Sequence, residues 1–150
     1  DLNYDELKMY DVISLEDLYQ RVPMDRKMLI IDIKGNDYKI IEKLNDFYRY
    51  MDISNIYFCS FNRPMLDNLN PKFRIGRTFE AFFLTSEYHM ILKDVDIIII
   101  HWTCLNNPLV QYCRMNNIGV FTYTHKNNIE HRYMTKFDVD GIITNGIFSN

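Results

Sequence analysis

Asp32 and Lys34 stand two residues apart in the run Leu29-Ile30-Ile31-Asp32-Ile33-Lys34-Gly35, where an acid and a base could hold a cation and an anion side by side. Strand alternation puts both side chains on one face and Ile31 and Ile33 on the other. So apolar a strand is normally covered on both sides, as in a parallel sheet packed by helices, where charges are costly unless they bind something or each other. Sites of α/β proteins gather at the carboxyl ends of parallel strands. Alternation alone leaves two readings for the pair, a site or a buried ion pair. His101 follows the apolar run Ile97 to Ile100 and precedes Trp102, and reads either as pocket lining or as a polar strand end.

The elements that must position these groups alternate along the chain. Ser14 with Asp17 three residues on has the form of an N-cap opening a short helix that Pro23 ends. After the Asp32 strand, Gly35 and Asn36 turn the chain into a helix with Ile40, Ile41, Leu44, Phe47, Tyr48 and Met51 along one stripe. Further strands are expected at Ile56–Ser60, Phe73–Thr78, Val95–Ile100, Ile118–Tyr123 and Asp140–Thr144. Helices are expected behind Asn62 with Pro64 in the first turn, from Asn107 and Pro108, and over Asn128–Phe137 with Ile129, Tyr133, Met134 and Phe137 on one side. Residues 80–93 read as a short helix under an aromatic loop. Six strands separated by helical segments suit βαβ crossovers. A doubly wound open parallel sheet and part of a (β/α)8 barrel both fit, and length favours the open sheet, because a full barrel typically needs about 250 residues.

With 150 residues and 47% hydrophobic content, the chain is expected to form a single domain over 1–150. A net charge of -3 gives no electrostatic footprint for nucleic acid or an anionic membrane. No stretch reaches the length of a membrane span. Cys59, Cys104 and Cys113 lack metal-ligand spacing and read as buried thiols, pointing to the cytoplasm or another reducing compartment. Asp1-Leu2-Asn3-Tyr4 shows no signal peptide and no initiator Met, so the chain is expected to be trimmed or processed. Arg63 and Arg77 read as solvated charges, His89 and His131 as surface residues, and Phe79, Phe82 and Phe83 as core.

Six collinear segments carry a resemblance to a known family. Ser14-Leu15-Glu16-Asp17-Leu18 looks like "PTLEEVL", Leu29 to Gly35 like "LNIEIKG", and Cys59-Ser60-Phe61 with Leu66 like "SSFDPEAL". Ile75 to Glu80 looks like "IGLLFE", Val120 to Lys126 like "VHVWTVN", and Val139 to Asn145 like "GVDGIITD". Together they resemble the glycerophosphodiester phosphodiesterase family from about residue 4 onward. That family uses a (β/α)8 barrel and a divalent cation to hydrolyse glycerophosphodiesters to glycerol phosphate and an alcohol. The resemblance makes the six strands the third through eighth of a partial barrel.

The resemblance also implies roles. Asp32 stands where the family has a metal-binding Glu, as a ligand for Mg²⁺ or Ca²⁺, and Lys34 matches an active-site Lys that contacts the substrate phosphate. Ser60 and Tyr123 fall at pocket positions, Tyr123 replacing a Trp, and His125 falls near the loop after the seventh strand, where a solvated residue is expected. Lys126 stands where the family has Asn. The "HRG" motif with its acid/base His, the Glu of "ENT" and a Glu-x-Asp pair have no counterpart in the 150 residues. A hexacoordinate cation cannot be held by one Asp. The implied activity is therefore incomplete for catalysis in this chain, or else the chain is a catalytically silent relative that binds or supports others. Two open sheet edges also invite self-association.

Overall fold

The computed structural model describes residues 4–23 and 27–146, and the signal-peptide reading of residues 1–3 lies outside them. The lead-in holds a short helix, α1 (Tyr4–Lys8), followed by α2 (Leu15–Arg21). Ser14 caps α2 as expected: its Oγ accepts from the Asp17 amide at 3.1 Å, and Asp17 accepts in turn from the Ser14 amide. The chain then runs β1 (Leu29–Asp32), α3 (Lys39–Phe47), β2 (Ile56–Ser60), α4 (Arg63–Leu66), β3 (Arg74–Phe79) and α5 (Tyr88–Ile91). It continues through β4 (Ile97–His101), α6 (Asn107–Met115), β5 (Gly119–His125), α7 (Asn128–Met134) and β6 (Gly141–Thr144).

All six strands are parallel, in the order β1-β2-β3-β4-β5-β6. The doubly wound alternative requires a reversal of strand order midway, and the sheet has none. Right-handed crossovers that advance one strand at a time put every helix on the same face. The other face must then be hidden by curling. The rings of Phe61, just past the end of β2, and Tyr123 of β5 lie 6.4 Å apart, although three strand spacings on a flat sheet would separate them by about 14 Å. The sheet is a half-barrel, concave on the face without helices.

Two apolar clusters lie between sheet and helices. Phe58, Phe73 and Tyr48 centre the first, with Phe58 and Phe73 stacked at 4.5 Å and Ile41 and Leu44 of α3 against them. Ile98, Ile100 and Val120 meet Leu109, Val110 and Cys113 of α6 in the second. Each such side chain removed from water is worth about 1.5–3 kcal/mol. The apolar stripes are narrower than their spacing suggested, because Ile40 on α3 and Ile129 on α7 are exposed, the latter at 82%. Phe82 is exposed too, while Phe79 is buried and Phe83 packs on the second cluster.

The third cluster fills the concave face with Cys59, Ile97, Ile99 and Phe121. Strand register puts Asp32, Cys59, Gly76, Ile97 and Gly119 in one row across five strands. Large and small residues alternate along it because the curved interior has no room for five large ones. A Cβ on Gly76 would lie 2.2 Å from Cys59 Sγ. The three cysteines are free and buried as expected, and burial, with Asp32 alongside, pushes the Cys59 thiol up to about 12. No helix among the described residues is long and apolar enough to cross a membrane.

Caps and ion pairs finish the connections. Asn107 and Pro108 open α6 as expected, and Asn106 caps it, accepting from the Leu109 amide at 3.0 Å. Asn127 caps α7 through the Ile129 and Glu130 amides. At the amino ends of the strands, Asp140 joins Arg114 at 2.8 Å and accepts from the Val120 amide at 2.6 Å, tying β5 to α6.

Candidate functional site

The chemistry of the concave face sits at its carboxyl-end rim. β1 ends at Asp32, and the chain continues extended through Ile33, whose amide donates to the Cys59 carbonyl at 2.7 Å. Alternation therefore holds one residue past the strand, and Asp32 and Lys34 emerge together on the concave side. Lys34 Nζ lies 2.5 Å from Asp32 Oδ2, with the Lys34 side chain 70% exposed and that of Asp32 35% exposed. The buried ion pair allowed by the sequence is thus excluded, and the pair faces open solvent. Gly35 follows at φ +78°, a backbone that side-chain-bearing residues rarely take, so the chain can turn away at once.

Asp32 and Lys34 share a cleft of about 540 Å³ with Phe61, Thr78, Ile99 and Tyr123, and Ile30 of β1 and Ile143 of β6 close its sides. The Lys34 ammonium stands 5.0 Å from the centre of the Phe61 ring, a cation–π distance. Tyr123 meets Phe61 edge-on, and its hydroxyl donates to the Phe79 carbonyl at 3.1 Å. Burial, with Glu80 nearby, pushes that phenol up to about 12, so it remains a neutral hydroxyl at any ordinary pH. Among the described residues the cleft thus has one anionic group, one cationic group and a flat aromatic wall. It can take an anion at the ammonium beside an apolar surface.

The other sequence candidates divide. His101 is half-exposed at the end of β4, opposite Tyr123 in register, with its ring edge-on to Tyr123 at 5.3 Å. Its Nδ1 lies 2.7 Å from Thr103 Oγ1, and it stands behind the cleft lining, against the Tyr123 ring. Ser60 is 1% exposed and shares its strand face with Phe58, away from the cleft. Its Oγ donates to the Ile33 carbonyl at 2.8 Å and accepts from the Asn62 amide at 3.0 Å. Asn62 leaves α4 uncapped by its side chain, which instead donates to Asn36 Oδ1 at 2.7 Å.

The arginines are not solvated as expected. Arg63 pairs with Asp67 at 2.7 Å and donates to the Lys93 carbonyl, and Arg77 donates to the Ile91 carbonyl at 2.9 Å. Burial, with Arg63 adding repulsion, lowers the Arg77 guanidinium below its usual range. His125 is buried at 1% exposure rather than solvated, with its ring 4.9 Å from that of His131. Burial and His131 lower the His125 pKa below its ordinary 6.5. In the unfolded chain it takes up a proton near that ordinary value, so unfolding binds protons. Stability contributed by neutral His125 should be complete above about pH 6.5 and fall as the pH drops below it. Urea melts across pH 5 to 8 should show this slope, flattened in His125→Phe.

The sequence missed Phe61 and Thr78 as cleft residues, though counting by twos from Gly76 places Thr78 on the inner face. Thr78 is 5% exposed, and its Oγ1 has no hydrogen-bond partner among the described residues.

The donor set does not fit the divalent cation that the resemblance implies. Asp32 is the one carboxylate among the described residues lining the cleft, and its oxygen is engaged by Lys34. No group of three or more His, Cys, Asp or Glu among the described residues could hold a metal ion. Mg²⁺ is commonly held by one or two carboxylates with waters and substrate phosphate oxygens, but here the single carboxylate is already paired to an ammonium that repels a cation.

The Thermotoga maritima glycerophosphodiester phosphodiesterase structure resembles this fold with a TM-score of 0.78 at 19% identity, covering 96% of this chain and 66% of that one. A phosphodiesterase of Oleispira antarctica, in complex with the product sn-glycerol-3-phosphate, matches at 0.66 and 16%, covering 78% of this chain and 51% of that one. A glycerophosphodiester phosphodiesterase of Parabacteroides distasonis matches at 0.65 and 17%, covering 78% and 52%. The chain spans about two thirds of the first relative's length and about half of the others'. No curated protein matches the sequence. The model of the glycerophosphoryl diester phosphodiesterase family matches residues 9–147. With that match over nearly its whole length, on a six-stranded partial barrel, the chain belongs to the glycerophosphoryl diester phosphodiesterase family.

Proposed function

We propose that this chain carries the phosphate-binding side of a glycerophosphodiester hydrolase, in which Lys34 binds the phosphate of the substrate and of the glycerol phosphate product. The observation that supports this most is the 70% exposed ammonium standing over an aromatic wall at the strand carboxyl ends. Lys34 offsets charge on the phosphoryl oxygens as it develops. Phe61 and Tyr123 shape the wall against which the ester's carbon skeleton lies, and His101 buttresses Tyr123. Asp32 orients the Lys34 ammonium, and in a longer protein it serves as one cation ligand among others.

The chain itself should hydrolyse glycerophosphocholine no faster than background with Mg²⁺ or Ca²⁺. A version continued upstream with the acid/base and remaining metal ligands of the family should be active, and Lys34→Ala should lower its rate about a hundredfold or more. Undiminished activity in that variant would refute the role of Lys34.

A second reading is a catalytically silent relative that acts as a structural or binding component. The incomplete donor set favours it, and so do sheet edges on β1 and β6 that have no partner strand among the described residues. Exposed Met28 and Ile143 flank those edges. Unpaired edges beside apolar side chains favour pairing with a second copy. Under this reading, light scattering should show a mass that rises with concentration. A clean monomer at high concentration would argue against it.

A further inference from the structure

We infer that Ser60 is a positioning residue for Lys34, acting with the Asn36–Asn62 side-chain link to fix where the ammonium stands over the cleft. This rests on the reading of Lys34 as the phosphate-binding group. Two short segments meet at the carboxyl ends of β1 and β2, residues 33–36 and 59–62. Three hydrogen bonds join them. The Ile33 amide donates to the Cys59 carbonyl at 2.7 Å, Ser60 Oγ donates to the Ile33 carbonyl at 2.8 Å, and Asn62 Nδ2 donates to Asn36 Oδ1 at 2.7 Å. A fourth sets the direction of the hydroxyl: the Asn62 amide donates to Ser60 Oγ at 3.0 Å, leaving the hydroxyl proton for Ile33.

The Ile33 carbonyl belongs to the peptide plane whose nitrogen is that of Lys34. Holding Ile33 at both its amide and its carbonyl therefore fixes the direction in which the Lys34 side chain leaves the backbone. The Asn36 link anchors the far side of the Gly35 turn. Lys34 thus lies between anchors at 33 and 36, and Phe61 lies between anchors at 60 and 62. The two meet at 5.0 Å. A lysine has a long flexible stem, and without a fixed origin its ammonium would sample a wide arc of solvent. Ser60 itself is 1% exposed, with its proton and a lone pair already committed, so it has nothing to offer a ligand in the cleft. Its effect must pass through Lys34.

A double-mutant cycle separates this role from direct contact. sn-Glycerol 3-phosphate is titrated into the chain and followed by backbone amide NMR around the cleft, in the parent, Ser60→Ala, Lys34→Ala and the double variant. Ser60→Ala should weaken binding about fivefold in the parent, the scale of one lost hydrogen bond, and cause no further loss in the Lys34→Ala background. Asn62→Ala, which leaves no buried hole, should weaken binding in the same direction, and it carries the test if Ser60→Ala melts early. Equal losses in both backgrounds, or full affinity in Ser60→Ala and Asn62→Ala, would overturn the inference. If Lys34→Ala alone leaves affinity unchanged, the phosphate reading itself fails, and that outcome is visible in the same data.

Discussion

Gly76→Ala should be among the most damaging single-methyl additions in this chain, lowering stability by about 3 kcal/mol, at the upper end of what overpacking costs. The new Cβ would stand 2.2 Å from Cys59 Sγ and 2.8 Å from Ile97 Cγ1. Neither neighbour can withdraw easily, since Cys59 is 0% and Ile97 2% exposed, in the tightest row of the concave face. Cys59→Ala removes the nearer obstacle and should by itself cost about 1 kcal/mol. Combined with Gly76→Ala, it should recover at least half of the loss, so the two changes are strongly non-additive. Chemical denaturation of the four proteins measures this. Additive losses would show that the Gly76 pocket is not where the crowding arises.

The second large effect separates binding from folding. Lys34→Ala should leave the melting temperature almost unchanged, because an ion pair this open to solvent is worth about 1 kcal/mol at most. Its affinity for glycerol phosphate should nevertheless fall about tenfold, the scale of a charge-assisted hydrogen bond to phosphate. Lys34→Arg should retain most of the binding. Asp32→Asn should act in the opposite direction to Lys34→Ala. It removes the carboxylate that holds the ammonium at 2.5 Å and repels the incoming anion, so phosphate binding without added metal should strengthen. Isothermal titration of the four proteins with and without EDTA reads these signs. Weaker binding in Asp32→Asn under EDTA would mean that the carboxylate's orienting effect outweighs its repulsion.

The alternation of apolar strands with helices was legible because it repeats six times. Asp32 and Lys34 were legible because strand period two is kept even past the last ladder residue of β1. Curvature was not legible from pattern. It depends on row mates such as Gly76 beside Cys59, which are 17 residues apart in sequence and adjacent only through register. His125 looked like a loop residue because β5 runs two residues farther than its apolar core suggested, and that extension buries it. Ser60 was placed correctly at a strand end, but one step of alternation turned it from the cleft toward the Ile33 carbonyl. Arg63 and Arg77 illustrate the same limit, since a carbonyl such as that of Ile91 leaves no trace in side-chain spacing. Ile40 and Ile129 are each the second residue of their helix and lie at the edge of, or beyond, the buried face that Ile41 and Leu44 mark on α3 and Met134 on α7.

The central claim is that the Lys34 ammonium, held at the rim of a half-barrel, is a phosphate site. Lysine side-chain NMR of the chain, titrated in parallel with sn-glycerol 3-phosphate and with glycerol, tests it most directly. The Lys34 methylene signals should move saturably with the phosphate and stay still with glycerol, while the other lysines hardly respond. Shifts spread evenly over all the lysines, or a Lys34 signal indifferent to the phosphate, would contradict it.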